Sequence, residues 1–352
     1  MTSSHAAYVT QPSIVLGEHT VSLQEIEDDF ALAHAGDRRL PVWQRQIRST
    51  GVHQRHFARP LAEVSAPNQK IEQRSEATFT DVCRLGVQSL KLALAASGLD
   101  PKDIDCLITA SATGAKMPGL DVHLINELKM RPTVRRIPIA QLGCAGGAFA
   151  LALASEYLRA RPGERVAVVC SEVPSATYQH SEMSVGPVIF KALFGDGAGA
   201  AIVTSQPLGP GIRIEDTMEL TLPNSTTRYW MEPREDGYHF LSTREALNST
   251  NDALPHILPW WHRNGDESID FAVVHPGGLR VLDDVQKGLD LKPELLRHSH
   301  ESMAENGNLA GVAILDVLAR QLQTPPHDGT RGLLLGFGPG FTAIAGEVTA
   351  VR

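Results

Sequence analysis

"PIAQLGCAGGAFALALASEYLRA", residues 138–160, runs from a short apolar strand through a glycine-rich seam into a helix with almost no polar face. A helix that is apolar nearly all round is buried on every side, so it belongs inside a layered body rather than on its surface. The seam carries one cysteine, Cys144. A second stretch, "GNLAGVAILDVLARQL" from Gly307, repeats the order of glycine, polar residue, small residues and apolar helix. The elements before these helices repeat too: "DIDCLITASATG" (103–114) and "SIDFAVVHPGG" (268–278) both read as Ile-Asp, a short apolar strand and a glycine stop. Cys144 lies 39 residues after Asp105, and Asn308 lies 38 after Asp270. Beyond each helix comes another strand, "RVAVVCSE" from Arg165 and "RGLLLGFG" from Arg331, then a glycine turn and a last strand.

Matching order and spacing over successive elements reads as an internal duplication. The expected fold is α/β in two duplicated halves, residues 1–210 carrying Cys144 and residues 211–352 carrying His275 and Asn308. Mixed sheets on either side of the two matched helices complete the layers.

Bulk properties narrow the function. The 352 residues are 42% hydrophobic, enough for a substantial core. A net charge of -8 argues against nucleic acid or an anionic membrane as the main partner, while leaving room for a small anionic ligand in a local basic pocket. "MTSSHAAYVTQPSIVLGEHT" lacks the basic start and apolar core of a secretory signal, and "AFALALA" is far short of the roughly 20 residues that span a bilayer. A soluble cytoplasmic protein with no membrane partner is expected. Four cysteines without a CxxC pair suit reduced thiols, and Cys83, Cys106 and Cys170 sit within apolar patterns as core residues. No metal site is expected: there is no HExxH, and His298-Ser-His300 reads as a solvated loop. "QEIEDDF" (24–30) reads as an exposed helical face.

The duplication places Cys144 and Asn308 at equivalent helix N-termini, with His275 ending the strand before Asn308. Partial positive charge at a helix N-terminus favours a thiolate, and a thiolate exchanges with thioesters to give an acyl-enzyme. His275 and Asn308 can donate hydrogen bonds to a developing enolate or oxyanion. "GFGPGF" (336–341) lacks the spacing and following helix of a dinucleotide fingerprint. Its Gly336, Gly338, Pro339 and Gly340 read as a bend that lets backbone pass close to the site. "FGDGAGA" (194–200) reads as a tight turn between strands.

With these residues in place, the chain strongly resembles the type III polyketide synthases, the chalcone synthase-like branch of the thiolase superfamily. The resemblance rests on "ASATGAKMPGLD" (110–121), "GCAGG" around Cys144, "VVCSE" (168–172), "ALFGDGAGA" (192–200), "HPGG" from His275, "GN" at 307–308 and "GFGPG" at 336–340. It implies a homodimer of thiolase-like αβαβα subunits whose catalytic triad is Cys144, His275 and Asn308. It implies an acyl-CoA starter loaded on Cys144, extension by decarboxylative condensation with malonyl-CoA, and cyclisation to a pyrone or phenolic product. CoA thioesters are then substrates, and no cofactor is called for.

The same resemblance assigns Phe194 and Phe240 as gatekeepers between CoA tunnel and cavity, and Arg45 and Arg48 as contacts to CoA phosphates, although Val42 stands where the family has a lysine. Met117 falls where the family passes a residue into the partner's pocket. Ala112, Pro174 and Ala310 replace hydroxyl residues of the plant pattern, Met231 replaces a glycine, and Thr177 completes the cavity set. A less polar wall suits an apolar starter. Ala112 also differs from the cysteine typical of bacterial tetrahydroxynaphthalene synthases. An initiating ketoacyl synthase or a plain acyltransferase on the same fold remains the alternative, while a papain-like protease lacks its local signature here. A non-catalytic binding protein is disfavoured by an intact triad.

Overall fold

The computed structural model describes residues 6–265 and 268–352. Residues 1–5, the start of the stretch read for a leader, lie outside the described residues. The chain opens with β1 (Ala7–Thr10), β2 (Ser13–Leu16), β3 (His19–Ser22) and α1 (Leu23–Ala33). Ser22 and Glu25 box the start of α1: the Glu25 N–H donates to the Ser22 hydroxyl at 3.2 Å and the Ser22 N–H to the Glu25 carboxylate at 2.8 Å. Next come α2 (Leu40–Arg48), β4 (Gln54–Phe57), α3 (Leu61–Val64) and the long α4 (Ile71–Ala96).

The first repeat holds β5 (Cys106–Ala110), α5 (Leu120–Glu127), β6 (Arg135–Ile139), α6 (Gly146–Ala160), β7 (Val166–Glu172), α7 (Val185–Leu193) and β8 (Gly197–Thr204). After β9 (Gly211–Thr221) come the hairpin β10 (Tyr229–Arg234) and β11 (Gly237–Ser242), then α8 (Ser249–Trp261) and β12 (Phe271–Val274). Helices α9 (Leu279–Gly288), α10 (Arg297–Asn306) and α11 (Ala313–Gln323) precede β13 (Arg331–Gly338) and β14 (Thr342–Val351).

Pairing bears out the duplication. β5 runs parallel to β7, β7 antiparallel to β8, and β8 antiparallel to β1. In the second half β12 runs parallel to β13, β13 antiparallel to β14, and β14 antiparallel to β9. Even the Ile-Asp entries do the same job. Asp105 accepts from the Arg165 N–H and Asp270 from the Arg331 N–H, both at 2.9 Å, and so each closes the start of a parallel strand pair. β6, parallel to β5, has no counterpart among the described residues.

Two separate sheets were expected, but ten strands form one sheet in the order β12-β13-β14-β9-β1-β8-β7-β5-β6, with β2 beside β8. The join is β1 against β9, with Ala7 opposite Ile214. The sheet still encloses the helix pair: Leu151 and Leu158 of α6 and Ile314 and Leu318 of α11 share one core with Ile108, Val168, Val273 and Ile344. On the far face of β5, β7 and β8 lie α4 and α5, through Leu85 and Leu124. On the far face of β12 to β14 lie α8 and α9, through Leu254 and Leu282. The layers are therefore α, β, α, β, α.

Three local readings are corrected. "QEIEDDF" is not a free face. Glu27 is buried and accepts from Arg48 at 2.6–3.0 Å, and Asp29 accepts from the Tyr178 hydroxyl and His180 Nε2, each at 2.8 Å. Their partners lie 21 to 151 residues away, beyond any local pattern. His298 and His300 lie on α10, where His298 meets Glu301 at 2.9 Å. "FGDGAGA" links α7 to β8 rather than turning between strands. Its buried Asp196 accepts from the Ala58 N–H, the Ser175 N–H and the Ser175 hydroxyl at 2.8, 2.9 and 2.6 Å.

Candidate active site

Cys144 occupies the middle of a single 3₁₀ turn, Gly143–Ala145, that feeds α6. Gly143 has φ +50°, a left-handed conformation that costs glycine little and other residues more. At the equivalent place in the second repeat, Asn308 precedes the turn Ala310–Val312 that feeds α11. The two turns meet: a Cβ on Gly147 would stand 2.0 Å from the Gly311 carbonyl oxygen. Only glycine lets the two helix entrances approach this closely.

Backbone bonds lock Asn308 to the end of α7. Its N–H donates to the Leu193 carbonyl at 2.8 Å, and its carbonyl accepts from the Gly195 N–H at 3.1 Å. Its side-chain Oδ1 accepts from the Ala310 N–H at 2.9 Å, which leaves Nδ2 as its donor end beside the cavity that Asn308 shares with Cys144. His275 follows β12 and is anchored by its N–H to the Leu335 carbonyl at 2.8 Å. It is buried, and its Nδ1 has no partner among the described residues.

Cys144, His275 and Asn308 line one cavity of about 270 Å³. Six aromatic side chains share the lining: Phe190, Phe194, Tyr229, Phe240, Phe337 and Phe341. Phe190 is central, stacked on Phe194 at 5.6 Å and edge-on to Phe240 at 4.7 Å. The Gly-rich bend passes close, as expected: Gly338 and Pro339 line the cavity, and a Cβ on Gly338 would stand 2.5 Å from the Leu142 carbonyl oxygen.

A thiolate at Cys144, expected from its helix N-terminus, is opposed here. Burial pushes the Cys144 thiol up to about 12, with the Glu172 charge adding to it and the Asn308 hydrogen bond pulling back. Burial also pushes His275 down to about 4. Desolvation therefore favours the neutral forms of both groups, and a neutral imidazole has one N–H to donate and one lone pair to take a proton. Glu172 is itself pushed up to about 7 by burial, against hydrogen bonds from the Thr113 hydroxyl and N–H and the Ala112 N–H.

The other residues named from the resemblance are more scattered. Phe194 and Phe240 line the cavity, whereas Ala112, Pro174, Thr177, Met231 and Ala310 do not. Ala112 and Ala310 serve as backbone anchors, for Glu172 and Asn308 respectively. Pro174 and Thr177 share a 3₁₀ turn closed by the Thr177 hydroxyl on the Pro174 carbonyl at 2.8 Å, and Met231 pairs with Phe240 in the hairpin. Met117 lies outside, 93% exposed. Arg45 is exposed and off the lining, and Arg48 is committed to Glu27. Gly336 and Gly340 are off the lining, and a Cβ on Gly336 would stand 2.5 Å from the Ala148 Cβ of α6.

Sequence reasoning missed Phe190, Tyr229 and the mouth residues Ser49, Thr50, Leu279, Arg280 and Asp284. A signal existed for one of them. Gly186, Ile189, Phe190 and Leu193 follow helical spacing on α7, and all four line the cavity.

Comparison with known proteins places this geometry among relatives. Models for the N-terminal and C-terminal domains of chalcone and stilbene synthases match residues 58–207 and 213–351. The chain is 33% identical over 340 residues to 1,3,6,8-tetrahydroxynaphthalene synthase of Streptomyces griseus, covering 96% of this chain and 91% of that one. It is 32% identical over 344 residues to phloroglucinol synthase of Pseudomonas fluorescens, covering 96% and 98%. Among solved structures, germicidin synthase from Streptomyces coelicolor, a type III polyketide synthase, superposes with a TM-score of 0.94 at 30% identity, covering 98% and 100%. Tetrahydroxynaphthalene synthase from Streptomyces coelicolor superposes with a TM-score of 0.92 at 32% identity, covering 98% and 99%.

Proposed function

Since this chain belongs to the chalcone and stilbene synthase family, and is a type III polyketide synthase, we propose that Cys144 carries the growing acyl chain and that His275 and Asn308 serve both half-reactions. The observation that carries this reading is the convergence of the three side chains on one aromatic-lined cavity. In loading, the Cys144 sulfur attacks the thioester carbonyl of an acyl-CoA while His275 takes the thiol proton. The C–S bond to CoA then breaks, and the imidazolium returns the proton to the departing CoA thiolate. A neutral imidazole is the competent form for the first step, and burial supplies it.

In extension, malonyl-CoA loses CO₂, and the bonding pair moves into an enolate whose oxygen meets the His275 N–H and Asn308 Nδ2. The enolate carbon attacks the acyl carbonyl on Cys144. The carbon–sulfur bond to Cys144 breaks, the sulfur leaves as a thiolate and takes up a proton from solvent, and a chain two carbons longer leaves on CoA, ready to reload. Cyclisation then gives a pyrone or phenolic product. Six aromatic walls suit an apolar starter. The proposal extends to a homodimer, into which the exposed Met117 could project, and to a cytoplasmic setting. No helix among the described residues is long and apolar enough to cross a membrane.

The test is product analysis by mass spectrometry with labelled malonyl-CoA and a panel of acyl-CoAs, beside Cys144→Ala. Labelled carbon in a pyrone, resorcinol or naphthol that disappears with Cys144→Ala is the expected result. Acyl-Cys144 with no labelled carbon in any product would leave an acyltransferase instead.

A further inference from the structure

Arg280 is the only lysine or arginine among the described residues that line the cavity. It stands in the first turn of α9 beside Leu279, and Leu279 in turn packs where a Cβ on Gly51 would lie 2.8 Å away. The mouth is thus framed by the end of α2, with Ser49 and Thr50, and by the start of α9. The Arg280 side chain is 53% exposed and loosely held: Nη2 donates to Asn248 Oδ1 at 3.2 Å, and Nε lies 3.7 Å from Asp284 Oδ2. The two arginines of α2 offer less. Arg48 is tied to Glu27 by three bonds of 2.6–3.0 Å, and Arg45 does not reach the lining.

A CoA thioester that places its carbonyl at Cys144 leaves its phosphates toward the mouth, where their charge needs a cation. We propose that Arg280 is the ligand for those phosphates, and that Asp284, by competing for its guanidinium, sets how tightly CoA thioesters bind. The proposal rests on the polyketide synthase reading above and deepens it. A guanidinium meets phosphate through two parallel N–H donors, a stronger contact than the 3.7 Å pair it gives up. An ion pair of that length, with its guanidinium half exposed, is worth little, so exchanging it is cheap. The Asp284 carboxylate remains beside the incoming phosphate and repels it. Loss of Arg280 therefore weakens phosphate-bearing ligands, loss of Asp284 strengthens them, and an acyl group on a neutral carrier is indifferent to both.

Calorimetric titration of the full chain with CoA tests this, using wild type, Arg280→Ala and Asp284→Asn. Alongside it, intact-protein mass spectrometry follows acylation of Cys144 by an N-acetylcysteamine thioester, which has no phosphate. Expected are a roughly tenfold weaker CoA affinity for Arg280→Ala and a roughly threefold tighter one for Asp284→Asn, both shrinking as salt rises. Acylation by the neutral thioester should change by less than about twofold. Unchanged CoA affinity in Arg280→Ala overturns the proposal. So does an equal loss with the neutral thioester, which would mark Arg280 as structural. CoA binding is read without turnover, so that failure leaves the polyketide reading standing, whereas absence of labelled product would sink that reading alone.

Discussion

Asn308 and Ala310 are joined by a hydrogen bond in which the Ala310 N–H donates to Asn308 Oδ1 at 2.9 Å, and this fixes which end of the amide is left for the cavity shared with Cys144. The amide cannot flip without leaving that buried N–H unpaired, so the donor end stays available to any enolate formed in the cavity. Ala310 holds φ +50°, and that left-handed backbone aims its N–H back at Asn308.

Asn308→Asp keeps the acceptor for Ala310 but turns the donor into a second carboxylate oxygen. Malonyl-CoA decarboxylation is expected to fall by roughly 10²–10³, at least as far as with Asn308→Ala, because charge then faces the enolate. Rates of CO₂ release from labelled malonyl-CoA check this. A milder loss in Asn308→Asp would mean that the amide is not the enolate donor.

Gly147→Ala puts a methyl 2.0 Å from the Gly311 carbonyl oxygen, and neither helix entrance can yield without moving Cys144 or Asn308. A loss of about 3 kcal/mol or more, or failure to fold, is expected in denaturant titration. Gly163→Ala, where a Cβ would meet nothing within 4 Å, serves as the control and should stay within about 1 kcal/mol.

Phe190→Ala removes the ring that touches Phe194 and Phe240 and opens the cavity from the α7 side. Stability should drop by about 2 kcal/mol for a half-buried ring, while accepted starters or products become larger. Mass profiles against a ladder of acyl-CoAs read this directly, and an unchanged size limit would place the boundary elsewhere.

Glu172 supplies a pH signature. Its folded value, raised from 4.5 to about 7 by burial, means that the folded chain holds this proton more tightly than the unfolded chain does. Its contribution to stability is complete below about 4.5 and is lost as pH rises to about 7, on the order of 3 kcal/mol. Glu172→Gln should remove that slope, so the stability difference between the two proteins should change between pH 5 and pH 8. Removing the charge should also speed alkylation of Cys144 at pH 8, since Glu172 raises the thiol. A pH-independent stability difference would show that Glu172 titrates normally.

Much of the site was legible before folding, because its signals are local or periodic. Two all-apolar helices, each entered through a glycine and a polar residue at matched spacing, disclose the duplication and place Cys144 and Asn308 together. The glycines around Pro339 announce backbone passing close by. Charge partners gave no such signal: nothing near Arg48 in sequence shows that Glu27, 21 residues earlier, would claim it, and nothing near Arg280 shows that it would reach the mouth.

What the amino-acid sequence determined by itself is the plan: two copies of one strand and helix unit, a nucleophile at one entrance and a donor at the other. Hydrophobic period and residue spacing survive without coordinates. Tertiary structure decided the rest. It made one continuous sheet by pairing β1 with β9, chose Phe190 and Tyr229 for the wall, and desolvated the thiol and the imidazole, which favours their neutral forms. Those outcomes depend on desolvation and on contacts between segments far apart in the chain, and both exist only once the layers have closed.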